Sequence, residues 1–250
     1  MIMEPFNLTH VLTITILPVV LFLAVNLILK KKSESAKRNI LLLICLLNII
    51  LYIIYKIVYA LNPDNEFDIL LNLPLHVCNI NLILLPLAVL LKNKALMAYQ
   101  LYFGTVLAAL ALLTIDADFM SKPLFEFTCF IYFYYHSMLV ILPFMLVKHK
   151  FFRPSFKNVW QPTVILIALT IMAHIINVIF RATGIAPEAN YFFTYGLRGS
   201  FFTELYWKII PYNFFYLLPS LLSFAPYIIL ITLPFYLSDR KQRKLQKLSE

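Results

Sequence analysis

Seven stretches of this chain are each long and apolar enough to cross a bilayer, and few folds accommodate that pattern. They run over roughly 8–29, 39–61, 73–91, 95–115, 124–147, 159–180 and 213–237. A helix needs about 20 apolar residues to cover about 30 Å of hydrocarbon. The first stretch ends in Lys30, Lys31 and Lys32. A secretory signal has its positive charges at the start and small residues at the end, so this stretch is read as a retained span. The expected fold is all-α: a polytopic membrane bundle of seven transmembrane helices, forming a single domain over residues 1–250. No internal repeat, low-complexity linker or soluble domain interrupts it.

Composition supports this reading. The chain is 62% apolar and 13% charged, against about 45–50% and about 25% in ordinary globular proteins. That balance excludes a disordered tail, a disulfide scaffold and a soluble enzyme with one core. Only 4 glycines are present, which leaves no Gly-rich phosphate loop. Cys45, Cys78 and Cys129 all fall inside the apolar stretches and form no CxxC pair, so zinc and redox motifs are unsupported.

The loops alternate in charge. Lys30, Lys31, Lys32, Lys37 and Arg38 follow the first stretch, Lys92 and Lys94 the third, and Lys148, Lys150, Arg153 and Lys157 the fifth. Arg240, Lys241, Arg243, Lys244 and Lys247 form the tail. The intervening loops carry Asp64, Glu66 and Asp68, then Asp116 and Asp118 with a single Lys122. Lys and Arg are retained on the cytoplasmic side. The N-terminus is therefore expected outside and the C-terminus in the cytoplasm. The net charge of +9 then marks topology and attraction to anionic headgroups. It does not imply nucleic acid, because the basic tail abuts the membrane and lacks the interleaved aromatics of single-strand binders. The outer segment 181–212 is rich in aromatics, including Tyr191, Phe192, Phe193, Tyr195 and Trp207, and is expected at the headgroup level.

An ionisable residue in hydrocarbon is costly and is a functional hypothesis by default. Such residues gather here toward the outer side. The third stretch carries His76, Cys78, Asn79 and Asn81. The fifth carries His136, with Tyr132 one turn before it, and the sixth carries His174, Asn177 and Arg181 at the spacing of one helical stripe. Lys56 lies in the outer half of the second stretch, His10 at the outer end of the first, and His149 in a basic loop. Histidine can serve as general acid or base. Asn or Arg can stabilise an oxyanion or a phosphate, and a Cys beside the base can be a nucleophile. Together these groups describe acyl transfer on a lipid. Three histidines could instead bind zinc, although only Glu126 is placed to complete such a site. A proton-coupled transporter or lipid translocator and a non-catalytic membrane scaffold are further readings, but the one-sided depth and the missing repeat disfavour a transporter.

LPLHVCN (Leu73–Asn79) and FEFTCFIYFYYH (Phe125–His136) carry a resemblance, continued by the basic Lys148–Lys157 loop, the span with His174 and ANYFF (Ala189–Phe193). On these motifs the chain resembles the YwaF-type bacterial integral membrane proteins, related to the transmembrane protein 164 acyltransferase family. The resemblance covers about Leu70 to Leu237. It implies a seven-helix fold in the bacterial cell membrane and a phospholipid acyltransferase that uses a Cys and a His. His136, His76 and His174 match the family's histidines. The family's Cys precedes the His of the third span, where this chain has Leu75, and Cys78 lies one turn away on a near face. The expected catalytic residues are thus His136 as base, Cys78 as nucleophile, and His76 and His174 as orienting groups. Asn79, Asn177, Arg181 and Tyr132 are expected to bind substrate, with Arg181 on the lipid phosphate. No metal or other cofactor is expected, and membrane phospholipids are the expected partners.

Overall fold

A computed structural model describes residues 1–63, 68–115, 117–196 and 201–249. Asp64, Glu66 and Asp116 of the acidic loops lie outside the described residues, as does the side chain of Lys247. Among the described residues the regular structure is helical, with one isolated bridge between Ile2 and Pro123. The helices are α1 (Leu8–Leu29), α2 (Glu34–Leu61), α3 (Val77–Leu90), α4 (Lys94–Tyr99), α5 (Thr105–Leu113), α6 (Phe127–Lys148), α7 (Trp160–Ala182), α8 (Phe201–Ile209), α9 (Leu218–Ser223) and α10 (Ala225–Ser249). A π turn over Gln100–Gly104 joins α4 to α5, so these three form one segment, Lys94–Leu113.

Helix starts follow local chemistry. The first N–H groups of a helix lack intrahelical partners, and short polar side chains supply them. Asn7 accepts from the His10 amide, Ser33 from Ala36, and Asn93 from both Ala95 and Leu96. α3 starts later than its sequence suggests. Pro74 disfavours helical backbone at Leu73, and His76 is still extended (φ −70°, ψ 151°) when the helix begins.

Six segments reach the length and apolarity of a span: α1, α2, Lys94–Leu113, α6, Phe156–Ala182 and Phe215–Gln246. The stretch expected over 73–91 forms the 14-residue α3, which advances roughly 21 Å, short of the hydrocarbon thickness. The exposed faces are apolar. On α1, Leu12, Ile16, Val19, Val20, Leu23 and Leu27 all lie open, a surface that lipid satisfies and water does not. The protein is a multi-pass membrane protein.

The chain forms two compact units, Met1–Phe151 and Phe152–Glu250. The hub of the first is α6: 72% of its most apolar window is buried, against 11% for α1. It packs on α1, α2, α3 and α5, and α3 in turn packs on α2 and α4. An N-terminal strap closes one end, with Met3 fully buried and its backbone bonded to Lys122 (2.9 Å) and Ser121 (2.8 Å). His10 belongs to this closure. Its Nδ1 accepts from the Phe6 amide (3.0 Å), so Nε2 holds the proton and donates to the Leu112 carbonyl (2.7 Å). In the second unit, α7 packs on the Tyr191–Phe193 turn and α9 on α10.

Candidate active site

The first unit holds a buried imidazole with a defined free nitrogen. His136 sits on α6, 3% exposed. Its Nδ1 lies 2.9 Å from the Tyr132 carbonyl oxygen, one turn earlier. A carbonyl can only accept, so Nδ1 carries the proton and Nε2 keeps its lone pair. Nε2 has no hydrogen-bond partner among the described residues. Two tyrosine rings clamp the imidazole, Tyr132 at 4.4 Å and Tyr135 at 4.1 Å between centroids. Tyr132 is itself fixed, because its hydroxyl donates to the Ala111 carbonyl (2.8 Å) and its ring packs on Phe119 (4.5 Å).

Cys78 lies in the first turn of α3, half-buried and free of any disulfide. Its thiol is within electrostatic reach of the hydroxyls of Tyr52, Tyr99 and Tyr135. Tyr135 thus covers His136 with its ring and is also within electrostatic reach of the Cys78 thiol. Asn79, 8% exposed, makes no hydrogen bond to a described residue. At the start of α3, His76 is within electrostatic reach of Lys56. The Lys56 ammonium donates to Asn72 (2.8 Å) and lies over the rings of Tyr55 and Tyr59.

Beside this region the core holds polar atoms that no described residue satisfies. They are Asn48 Oδ1, the Tyr52 and Tyr99 hydroxyls, both amide atoms of Asn81, Gln100 Oε1 and Ser137 Oγ. Asn48, Asn81, Gln100, Ser137 and Tyr99 are each at most 1% exposed. Native interiors rarely leave such groups unpaired, and those that do occur call for an explanation. The π turn brings two of them together. Gln100 Nε2 donates to the Asn81 carbonyl (3.4 Å). A Cβ at position 104 would stand 2.7 Å from Gln100 Oε1 and 3.3 Å from Asn81 Nδ2, so a side chain here would force the Gln100 amide to move. π turns concentrate at functional sites because the extra residue redirects side chains.

A sequence profile of the TMEM164 family matches residues 5–237, nearly the whole chain. The chain belongs to the TMEM164 family. No curated protein and no solved structure matches it.

In this TMEM164 family member the expected site residues divide between the two units. His76, Cys78, Asn79, Tyr132 and His136 belong to the first unit, and His174, Asn177 and Arg181 to the second. The second group has visible local work. Asn177 is fully buried and donates to the Tyr191 carbonyl (2.8 Å), accepts from the Tyr191 amide (2.9 Å), and donates to Thr194 Oγ1 (2.9 Å). Thr194 Oγ1 also lies 2.9 Å from His174 Nδ1, to which its own proton can go. The His174 ring stacks on Tyr195 at 5.4 Å. Arg181 Nε donates to the Ala189 carbonyl (2.9 Å), and its guanidinium covers Tyr195 at 4.5 Å. The stripe of α7 thus anchors the aromatic segment 189–196. That segment includes Phe192 and Phe193 in left-handed backbone (φ 54° each), a conformation bulky residues avoid unless their surroundings impose it.

Among the described residues no three His, Cys, Asp or Glu side chains gather where they could hold a metal ion. Sequence reasoning passed over Asn48, Gln100 and Ser137. The available signal was their type: each is a polar residue inside an otherwise apolar span.

Proposed function

We propose that this TMEM164 family member is an integral membrane acyltransferase acting on phospholipids or lipid-anchored substrates. In the proposed topology it crosses the bacterial plasma membrane seven times, with the N-terminus outside, the C-terminus cytoplasmic and the short α3 entering from the outer side. The reading is carried by His136, a buried imidazole whose Nδ1–H is fixed by a carbonyl and whose Nε2 is left to take a proton. His10, by contrast, has both ring nitrogens engaged with the backbone.

In this mechanism His136 Nε2 takes the Cys78 proton as the sulfur attacks the ester carbonyl of a donor lipid. The carbonyl oxygen gains negative charge, and unpaired amide donors such as Asn79 and Asn81 Nδ2 stabilise it. The C–O bond then breaks and the lysolipid oxygen leaves with the proton from His136. An acceptor hydroxyl gives its proton to His136, attacks the thioester and breaks the C–S bond, and His136 returns the proton to sulfur. Tyr132 positions the base through its carbonyl. His76, with Lys56, orients the lipid near the outer end of α3. In the second unit His174 and Asn177 hold the aromatic segment, and the Arg181 amino groups meet a lipid phosphate as charge-assisted donors.

The test uses purified protein in liposomes holding an acyl-labelled phospholipid and an unlabelled lysophospholipid. Label should move to the lysolipid with no soluble acyl donor present. Labelled acceptor no higher than in protein-free liposomes would overturn the proposal.

A further inference from the structure

The second unit contains a basic cleft that the acyl-transfer chemistry does not use. It has a volume of about 380 Å³ and lies between the start of the α7 segment and α10. Lys157, Arg240, Arg243 and Lys244 line it. The last three, with Tyr236 one turn earlier, share a face of α10 by their spacing. The cleft contains one acid, Asp239, whose charge is already met: Arg153 pairs with it at 2.5 Å, while the Arg153 guanidinium also covers Phe235 at 5.2 Å. The four lining cations form no ion pair with a described residue. Self-repulsion among four such groups favours an anion between them.

The position of the cleft indicates the source of that anion. The α7 apolar segment begins at Phe156 and the apolar part of α10 ends at Leu237, so the cleft flanks the point where both meet polar sequence. Phe156 and Tyr236 pack edge to face at 5.8 Å on its wall, and Trp160 lies exposed just beyond. Aromatic rings at this level mark the headgroup zone. Basic pockets between spans in that zone match phosphate-bearing lipid heads, and Arg suits their oxygens because it can donate two parallel hydrogen bonds. We propose that this cleft binds the headgroup of an anionic phospholipid, with Arg240, Arg243, Lys244 and Lys157 around the phosphate and the acyl chains along the apolar faces of α7 and α10.

The test is retention of fluorescent phosphatidylglycerol by the full-length protein, in nanodiscs of phosphatidylcholine and in detergent. Combined R240Q, R243Q and K244Q should weaken retention about fivefold for each cation removed. D239N keeps every cation and releases Arg153 from its pair, so it should tighten retention severalfold, and it serves even if the triple variant folds poorly. K30Q combined with K31Q and K32Q, which likewise removes three cations but at the α1–α2 loop, should leave retention unchanged. Retention that persists in the triple variant, fails to rise in D239N, or falls equally in the loop variant would overturn the assignment. Displacement of the lipid by millimolar inorganic phosphate would identify a free-anion site instead and also overturn it.

Discussion

His136 donates its Nδ1 proton to the carbonyl oxygen of Tyr132 at 2.9 Å, a contact made entirely within α6. One turn of helix thereby selects the tautomer, and the backbone supplies the acceptor, so no side-chain change at position 132 removes it. The Tyr132 side chain does separate work. Its hydroxyl bonds the Ala111 carbonyl and ties α6 to α5. Tyr132→Phe should therefore cost stability, about 0.5–1.5 kcal/mol for one hydrogen bond, while acyl transfer falls less than tenfold. Thermal unfolding in detergent and the transfer rate together check this. A loss of rate as large as that from removing His136 would mean that the hydroxyl takes part in the chemistry.

Gly104 is crowded by the Gln100 side chain, not constrained by its own backbone. Gly104→Ala places a methyl group 2.7 Å from Gln100 Oε1 in a fully buried site. Overpacking of this kind costs about 1–3 kcal/mol. Adding Gln100→Ala removes the colliding amide, so the double variant should recover part of the loss. Residues in contact couple in this way, whereas distant ones add. Strict additivity of the two melting-temperature shifts would show that the turn relaxes by some other route.

The segment 189–196 should loosen when Asn177 is replaced. Asn177→Ala removes three hydrogen bonds: those to the Tyr191 amide, the Tyr191 carbonyl and Thr194 Oγ1. Each hydrogen bond lost is worth about 0.5–1.5 kcal/mol. Hydrogen exchange at Tyr191 and proteolysis near Gly196 should both accelerate, while exchange in α6 stays as it was. Unchanged protection of the Tyr191 amide would remove Asn177 from its anchoring role.

Some of this was legible in the sequence and some was not. The α6 span was read within three residues of its ends, because 22 residues of mostly apolar character leave no other reading. The stripe His174–Asn177–Arg181 was legible from its spacing. Its partner was not, since the groups it binds are backbone atoms of Ala189 and Tyr191 and the side chains of Thr194 and Tyr195, in a segment whose fold back onto α7 has no sequence signature. The stretch 73–91 was read as a span from apolarity alone; its helix, α3, covers only Val77–Leu90 because the backbone is still extended at His76, which apolarity does not reveal. The π turn was invisible for a related reason: one extra residue per turn changes neither length nor hydropathy. His10 stood out as a polar outlier, but its acceptor, Leu112, lies 102 positions away.

His149, just past the end of α6, offers a pH readout outside the spans. Partial burial, followed by the charges of Lys37 and Lys148, holds its imidazole below the usual histidine value. The folded state therefore favours the neutral ring. Its contribution to stability is complete above about pH 6.5, the ordinary value, and is lost as the pH falls through the ordinary range toward the folded value. In an NMR titration of histidine-labelled protein, His149 should protonate at lower pH than a free imidazole, and Lys37→Gln should raise its midpoint. A midpoint insensitive to Lys37 would remove that charge from the account.

The central claim is that His136 Nε2 moves the proton in acyl transfer. The most direct measurement is the initial rate of label transfer between phospholipids by purified His136→Ala protein, beside wild type, with both melting temperatures recorded. A positioned general base contributes roughly 10²–10⁴-fold, so the variant, assayed below its own lowered melting temperature because truncating a buried ring leaves a cavity, should lose at least about 10²-fold in rate. Transfer at the wild-type rate by a folded His136→Ala protein would contradict the account.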